Sequence, residues 1–331
     1  MTAFKIGGAC KWLDEDGQNV AEANFVTTTV RKLLTLTPKQ RHEWMWPIVE
    51  YNLMALRRQL EFVAALPPRR RMWRISSELL PVYTHAATKK FYAHPEIQDL
   101  IHRRLAWCGK FARKHKLRLS FHPGQFVVLG SQNPGIRENS RIELQYHCDV
   151  FTMMGYHGWH PDGVSVNIHV GVKNADVKAM RKLLQSSTSI ANFTTLENDE
   201  FSWGVEPIIE TFGDLVPVVL DVHHYWISEG VRLQPSDPLV NRIRETWRGV
   251  QPKLHLAMSY PELCGDYGPK DKMDLQALLD AGNTRAKLRV HSLHPWHTRS
   301  IDYAAQFNFD IMWEGKDKNL GAAVIANHLG S

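Results

Sequence analysis

The chain has 331 residues, 44% of them hydrophobic, and a formal charge of +6. That length exceeds the ~250 residues of a typical (β/α)8 barrel, and no linker or low-complexity tract divides it, so one domain over residues 1–331 is expected. No signal-peptide core and no apolar run near ~18 residues is present, which predicts an intracellular protein with no membrane contact, cytoplasmic or nucleoid-associated. Cys10, Cys108, Cys148 and Cys264 form no C-x-x-C pair and fit free thiols in a reducing compartment.

In chain order, a first strand fits residues 4–8. A long amphipathic helix fits 39–66 and is stopped by Pro67 and Pro68. A second strand fits 72–76, a helix 96–116 and a third strand 117–121. A helix over 137–155 precedes a fourth strand at 164–168, followed by a helix over 177–184. A fifth strand (193–196), a helix (205–211) and a sixth strand from about 216 come next. A helix at 238–247 leads to a seventh strand from Lys253, then a helix over 271–281 and a last strand at 309–313. Eight strands alternating with helices predict an α/β (β/α)8 TIM barrel. G-x-G-x-x-G and Walker sequences are absent, so an open nucleotide-binding sheet and an organic cofactor are not expected.

The strands share one kind of punctuation. His122 follows the third, His169 the fourth, Glu197 the fifth, Asp221 the sixth and Glu314 the last, while Lys253 and His255 lie two apart in the seventh and face one side. A single His or Asp after a strand is ordinarily a helix cap or a satisfied loop residue. Together they mean more, because the carboxyl ends of barrel strands converge on one face. His and carboxylate gathered there predict a polynuclear metal site, with Mn2+ or Zn2+ suiting the donors better than Mg2+ alone. His122 also opens HPGQF, residues 122–126, where Pro123 and Gly124 turn the chain and leave Gln125 and Phe126 at a loop tip. An amide and an aromatic ring beside a metal ligand suggest chemistry on something that can be stacked upon, such as a nucleobase.

Other residues stay open. His223 and His224 are adjacent and face different ways, so one of them is expected to ligate. His291 and His294 share a His/Trp-rich loop and cannot be separated. His157 and His160 read as surface histidines flanking a Gly-Trp turn, and Tyr225, Trp226 and Trp296 as cleft lining or packing. Lys253 inside a strand carries a charge that is costly to bury unpaired. A salt bridge to Asp221 or Glu314, a carbamate, or a phosphate contact would each answer it. The basic set Arg103, Arg104, Lys110, Arg113, Lys114, Lys116 and Arg118 reads as a solvated outer face, while Lys316 and Lys318, just past Glu314, are better placed to meet phosphate.

At these residues the chain resembles the UV damage endonucleases, metal-dependent DNA repair enzymes built on a TIM barrel. The resemblance spans residues 72–320. It rests on RISS at 74–77, SFHPGQF at 120–126, LENDE at 196–200, VLDVHH at 219–224, KLHL at 253–256 and WEGKDKN at 313–319. It implies nicking of duplex DNA immediately 5′ to UV photoproducts, and at abasic sites, leaving a 3′-hydroxyl and a 5′-phosphate. By position it places metal ligands on His122, His169, Glu197, Asp221, His224, His255, His291 and Glu314, and a modified active-site lysine on Lys253. It places the residues that fill the gap left by the flipped lesion on Gln125 and Phe126. The chain departs from the family pattern at residues 7–12, where Trp12 stands in place of the usual aromatic and Asn, at Glu78, and in an insertion over 263–289.

The expected protein is therefore a monomeric endonuclease acting on damaged double-stranded DNA with two or three divalent ions. Lys253 and Glu197 are its catalytic residues and Gln125 and Phe126 its lesion contacts. His122, His169 and Glu197 would surround one ion. Glu197, Asp221, His255 and Glu314 would surround a second, and His224 and His291 would hold a third. The alternatives are an abasic-site endonuclease of the related three-metal barrel family, a metal-dependent barrel sugar isomerase and a non-catalytic damage-binding protein. The exposed HPGQF tip argues against the isomerase, since a small sugar needs no wedge, and the ligand set argues against mere binding.

Overall fold

The computed structural model describes residues 4–330. Eight parallel strands close into a barrel in sequence order. They are β1 (Ile6–Ala9), β2 (Met72–Arg74), β3 (Arg118–Phe121), β4 (Ser165–His169), β5 (Thr194–Glu197), β6 (Val218–Asp221), β7 (Lys253–Leu256) and β8 (Asp310–Trp313). β1 meets β8 through Ile6 opposite Ile311 and Gly7 opposite Met312. The (β/α)8 expectation holds, with helices between the strands. β2 ends at Arg74 rather than running to 76.

Read at period two, each strand splits into two sets. Leu119, Phe121, Val166, Ile168, Leu196, Leu220, Leu254, Leu256 and Ile311 join the main hydrophobic cluster with the helices. On β3, β4 and β7 the alternate positions are polar, and some of these groups meet partners across the barrel. Arg118 on β3 pairs with Asp310 on β8 at 2.7 Å, and the Lys253 ammonium on β7 donates to the Ser165 hydroxyl on β4 at 3.1 Å. Such buried pairs add little net stability against well-packed apolar residues. Their effect here is an interior that mixes such polar groups with the apolar cluster of Ala9, Met72 and Met312.

The 28-residue helix Pro38–Ala65 opens with a capping box between Thr37 and Gln40. It buries Val49, Leu53, Leu56, Leu60 and Val63, whose spacing of four and three makes one face. The closing helix Lys318–His328 lies against β1, and the Asn319 amide makes two 2.8 Å hydrogen bonds with the backbone of Leu13. The long connection after β7 is folded rather than loose. Cys264, Met273, Leu275, Leu278 and Leu288 build a second hydrophobic cluster with Trp226 and Ile227. Trp226 is thus a packing residue, and the Trp296 indole donates to the Ser259 carbonyl at 2.9 Å. Among the described residues no helix is long and apolar enough to cross a membrane.

Candidate active site

The carboxyl ends of β3 to β8 bring the predicted ligands together. Within 4.8 Å of one another lie donor atoms of His122, His169 and Glu197, of Glu197, Asp221, His255 and Glu314, and of His122, His255 and Glu314. Glu197 is the centre of this arrangement. It faces His122 Nε2 at 3.1 Å and His255 Nδ1 at 2.9 Å, lies 3.8 Å from His169 Nε2 and accepts a hydrogen bond from the Asn167 amide. Burial alone would raise its carboxyl, but the His255 and His169 rings and the hydrogen bonds from His122 and His255 hold it well below the usual carboxylate range. Glu314 is likewise raised by burial and lowered further by Arg74, its ion-pair partner, and by His255, so it too stays ionised.

Asp221 has two uses. Its Oδ1 caps the helix Val222–Glu229 by accepting the backbone N–H groups of His223 and His224 at 2.7 Å each. Its Oδ2 is buried and has no hydrogen-bond partner. Burial raises this carboxyl, and the neighbouring Glu197 and Glu314 charges add to that. The cap also resolves the histidine pair. His224 turns toward the carboxylates, 3.9 Å from Asp221 and 3.7 Å from Glu200, whereas His223 points away to the Leu288 carbonyl at 3.1 Å. Burial would lower His224, but Asp221, Glu197, Glu200 and Glu314 outweigh it and push the ring up to about 9.

His291 and His294 separate as clearly. His294 is exposed and pairs with Asp317 at 3.1 Å. His291 lies 3.9 Å from the Glu314 carboxylate, with its ring centroid 6.1 Å from that of His224. Lys253 is buried with Ser165 as its hydrogen-bond partner, not in a salt bridge to Asp221 or Glu314, because the strand start sets it one layer below them. Burial, helped by the Arg118 charge, lowers its ammonium to about 7. Gln125 and Phe126 sit at the loop tip as expected, and Phe126 is 67% exposed.

The donor set fits metal. His122 Nδ1 donates to the Pro123 carbonyl at 3.2 Å, and its Nε2 faces the Glu197 carboxylate at 3.1 Å. Three carboxylates, the buried Glu197 and Asp221 and the largely buried Glu314, meet one paired guanidinium, Arg74, and His255 Nε2 and Asp221 Oδ2 are both buried without partners.

Several expectations change. His160 is fully buried, with a left-handed backbone at φ 39° and Nδ1 donating to the Val164 carbonyl, so it is not a surface residue. Trp12 packs at a tilt against Phe62 and Trp73. Lys316, exposed as a phosphate contact needs, donates to the Tyr260 hydroxyl and lies over its ring. Arg74, Asn167 and Glu200 contact the candidate ligands Glu314, Glu197 and His224 and were missed in these roles. The signal was available for Glu200, which stands in the LENDE motif.

A family profile described as UV-endonuclease UvdE matches residues 5–327. The chain is 25% identical over 318 residues to the UV DNA damage endonuclease of Bacillus cereus strain B4264, covering 92% of this chain and 89% of that protein. It is 27% identical over 317 residues to that of Bacillus mycoides strain KBAB4, with the same coverage. The crystal structure of SacUVDE matches 99% of both chains with a TM-score of 0.72 at 22% identity, a likeness of fold. On the profile match, which runs through every strand of the barrel, this chain belongs to the UV-endonuclease UvdE family.

Proposed function

We propose that this chain is a metal-dependent endonuclease that nicks duplex DNA immediately 5′ to UV photoproducts and at abasic sites, leaving a 3′-hydroxyl and a 5′-phosphate. The observation that carries the reading is the ring of carboxylates and histidines with unpartnered buried donor atoms at the barrel mouth. In this reading residues 5–327 act as one catalytic unit. His122, His169, Glu197, Asp221, His224, His255, His291 and Glu314 would hold two or three divalent ions, Mn2+ or Zn2+ by donor type. Such ions supply a nucleophile of lowered pKa, orient the scissile phosphate and stabilise the leaving 3′-oxygen.

The chain's own groups do the rest. Arg74 and Asn167 fix the Glu314 and Glu197 carboxylates, so the donor geometry is set before DNA arrives. Gln125 and Phe126 enter the gap left by extruded nucleotides and keep water and neighbouring bases from refilling it. The Lys253 amine, half neutral near pH 7, is in the form that adds CO2 to give a carbamate and release a proton.

A nicking assay tests this. Irradiated, abasic and intact duplexes are incubated with and without Mn2+. Cleavage next to the lesion that disappears on chelation is expected. Cleavage of intact duplex at the same rate would overturn the damage reading, and unaltered cleavage in chelator would overturn the metal reading.

A further inference from the structure

Among the exposed large hydrophobic side chains of the described residues, the only phenylalanines are Phe126 and Phe201, and both stand on loops that follow barrel strands at the carboxyl face. Phe126 has a reading already. Phe201, four residues past Glu197, is 45% exposed and has none. Its loop is not slack. The Asp199 carboxylate accepts the backbone N–H of Phe201 at 2.9 Å, of Trp203 at 3.3 Å and of Ser202. The Asp199 N–H donates to the Trp203 carbonyl at 3.0 Å, and the Trp203 indole ties the turn to the Val172 carbonyl at 2.8 Å. A locked turn therefore presents an apolar ring to water.

The ring faces a built environment. The Arg289 guanidinium lies 5.3 Å from its centroid and is itself held by Glu200, which lies 3.7 Å from His224. Phe201 and Arg289 line a cavity of about 280 Å3 together with Gln125, His169 and His224. One wall of this cavity is thus the loop tip that bears Phe126, another is Phe201 with Arg289, and the candidate ligands His169 and His224 border it between them.

We propose that Phe201, backed by Arg289, is a stacking subsite that receives a nucleobase extruded from the duplex. The DNA substrate is taken from the endonuclease reading. An aromatic ring under a guanidinium plane recognises the π-face of a base rather than its edge, so the subsite tolerates any base that is out of its stack. It adds a gate on damage that Gln125 and Phe126 do not supply. They occupy the vacated space in the duplex, whereas Phe201 holds what has left it. The tether through Glu200 to His224 places the captured base at a fixed offset from the ligand cluster.

The test titrates Mn2+-loaded wild type, Phe201→Ala and Phe201→Tyr against four probes at one salt concentration. These are a photoproduct duplex, an intact duplex, a single-stranded oligothymidylate and a single strand of the same length built of abasic sites. Phe201→Ala should bind the photoproduct duplex and oligothymidylate about ten-fold or more weakly. It should bind intact duplex and the baseless strand as wild type does, and Phe201→Tyr should restore the lost binding. Wild-type binding of oligothymidylate by Phe201→Ala, a loss of equal size on all four probes, or failure of Phe201→Tyr to rescue would overturn the subsite. If wild type nicks none of the duplexes, the endonuclease reading fails by itself. The comparison of oligothymidylate with the baseless strand still decides the subsite.

Discussion

Glu197 is the residue whose loss should be felt first, because His122, His255 and Asn167 all converge on its two oxygens. Glu197→Gln keeps the shape and removes the charge, and nicking of lesion duplex should fall by orders of magnitude. A wild-type rate in single-turnover assays would remove Glu197 from the mechanism. Phe126 should act on lesions only. Its ring covers Gly124 so closely that a methyl group there would sit 2.6 Å from it. Phe126→Ala should weaken binding to lesion duplex by about one to two factors of ten. Intact duplex, bound mainly through phosphates, should change little, and paired titrations check this. His224 carries a pH signature in the metal-free protein. Its folded pKa, about 9, lies above the 6.5 of the free side chain. The stability it contributes is therefore fully present below pH 6.5 and is lost as pH rises through 9. Melting of chelated protein between pH 6.5 and 9.5 should show this decline, and His224→Gln should lack it.

At the scale of elements, the connection after β7 is a separable unit. Leu278 belongs to its cluster and not to the main core. Leu278→Ala should cost about 2–5 kcal/mol locally and speed hydrogen exchange over residues 263–290. Exchange in β3 and in the helix Pro95–Lys114 should stay unchanged. Uniform acceleration across the chain would show that the two clusters unfold together. This unit also marks where the sequence stops being readable. The strands and their terminal His, Glu and Asp were legible because strand ends are punctuated by turns, and closure of a barrel makes those ends neighbours. The apolar appearance of the strands concealed their alternation. Arg118, Ser165, Lys253 and Asp310 point inward and find each other only across the barrel. His291 and His294 were not separable, since a loop has no periodicity to assign faces, and the choice is made by Asp317 taking His294. His160 looked like a surface turn because a left-handed backbone that folds a ring inward leaves no pattern in one sequence.

For the whole molecule, a mouth that gathers Glu197, Asp221 and Glu314 stores like-charge repulsion that divalent ions relieve. Added Mn2+ should raise the melting temperature, with stabilisation of about 2.7 kcal/mol at a hundred times its Kd. The rise should shrink in Glu197→Gln, and an unchanged melting curve on chelation would show that no ion is held. The same mouth depends on closure. β8 seats beside β1, and Asn319 of the closing helix grips Leu13. Chains leave the ribosome amino end first, so the strand that delivers Glu314 to His255 and Arg74 is the last to emerge. A nascent chain can form seven-eighths of the sheet and still lack the carboxylate that Arg74 must hold. Translation order thus leaves the candidate site one carboxylate short until β8 joins the barrel.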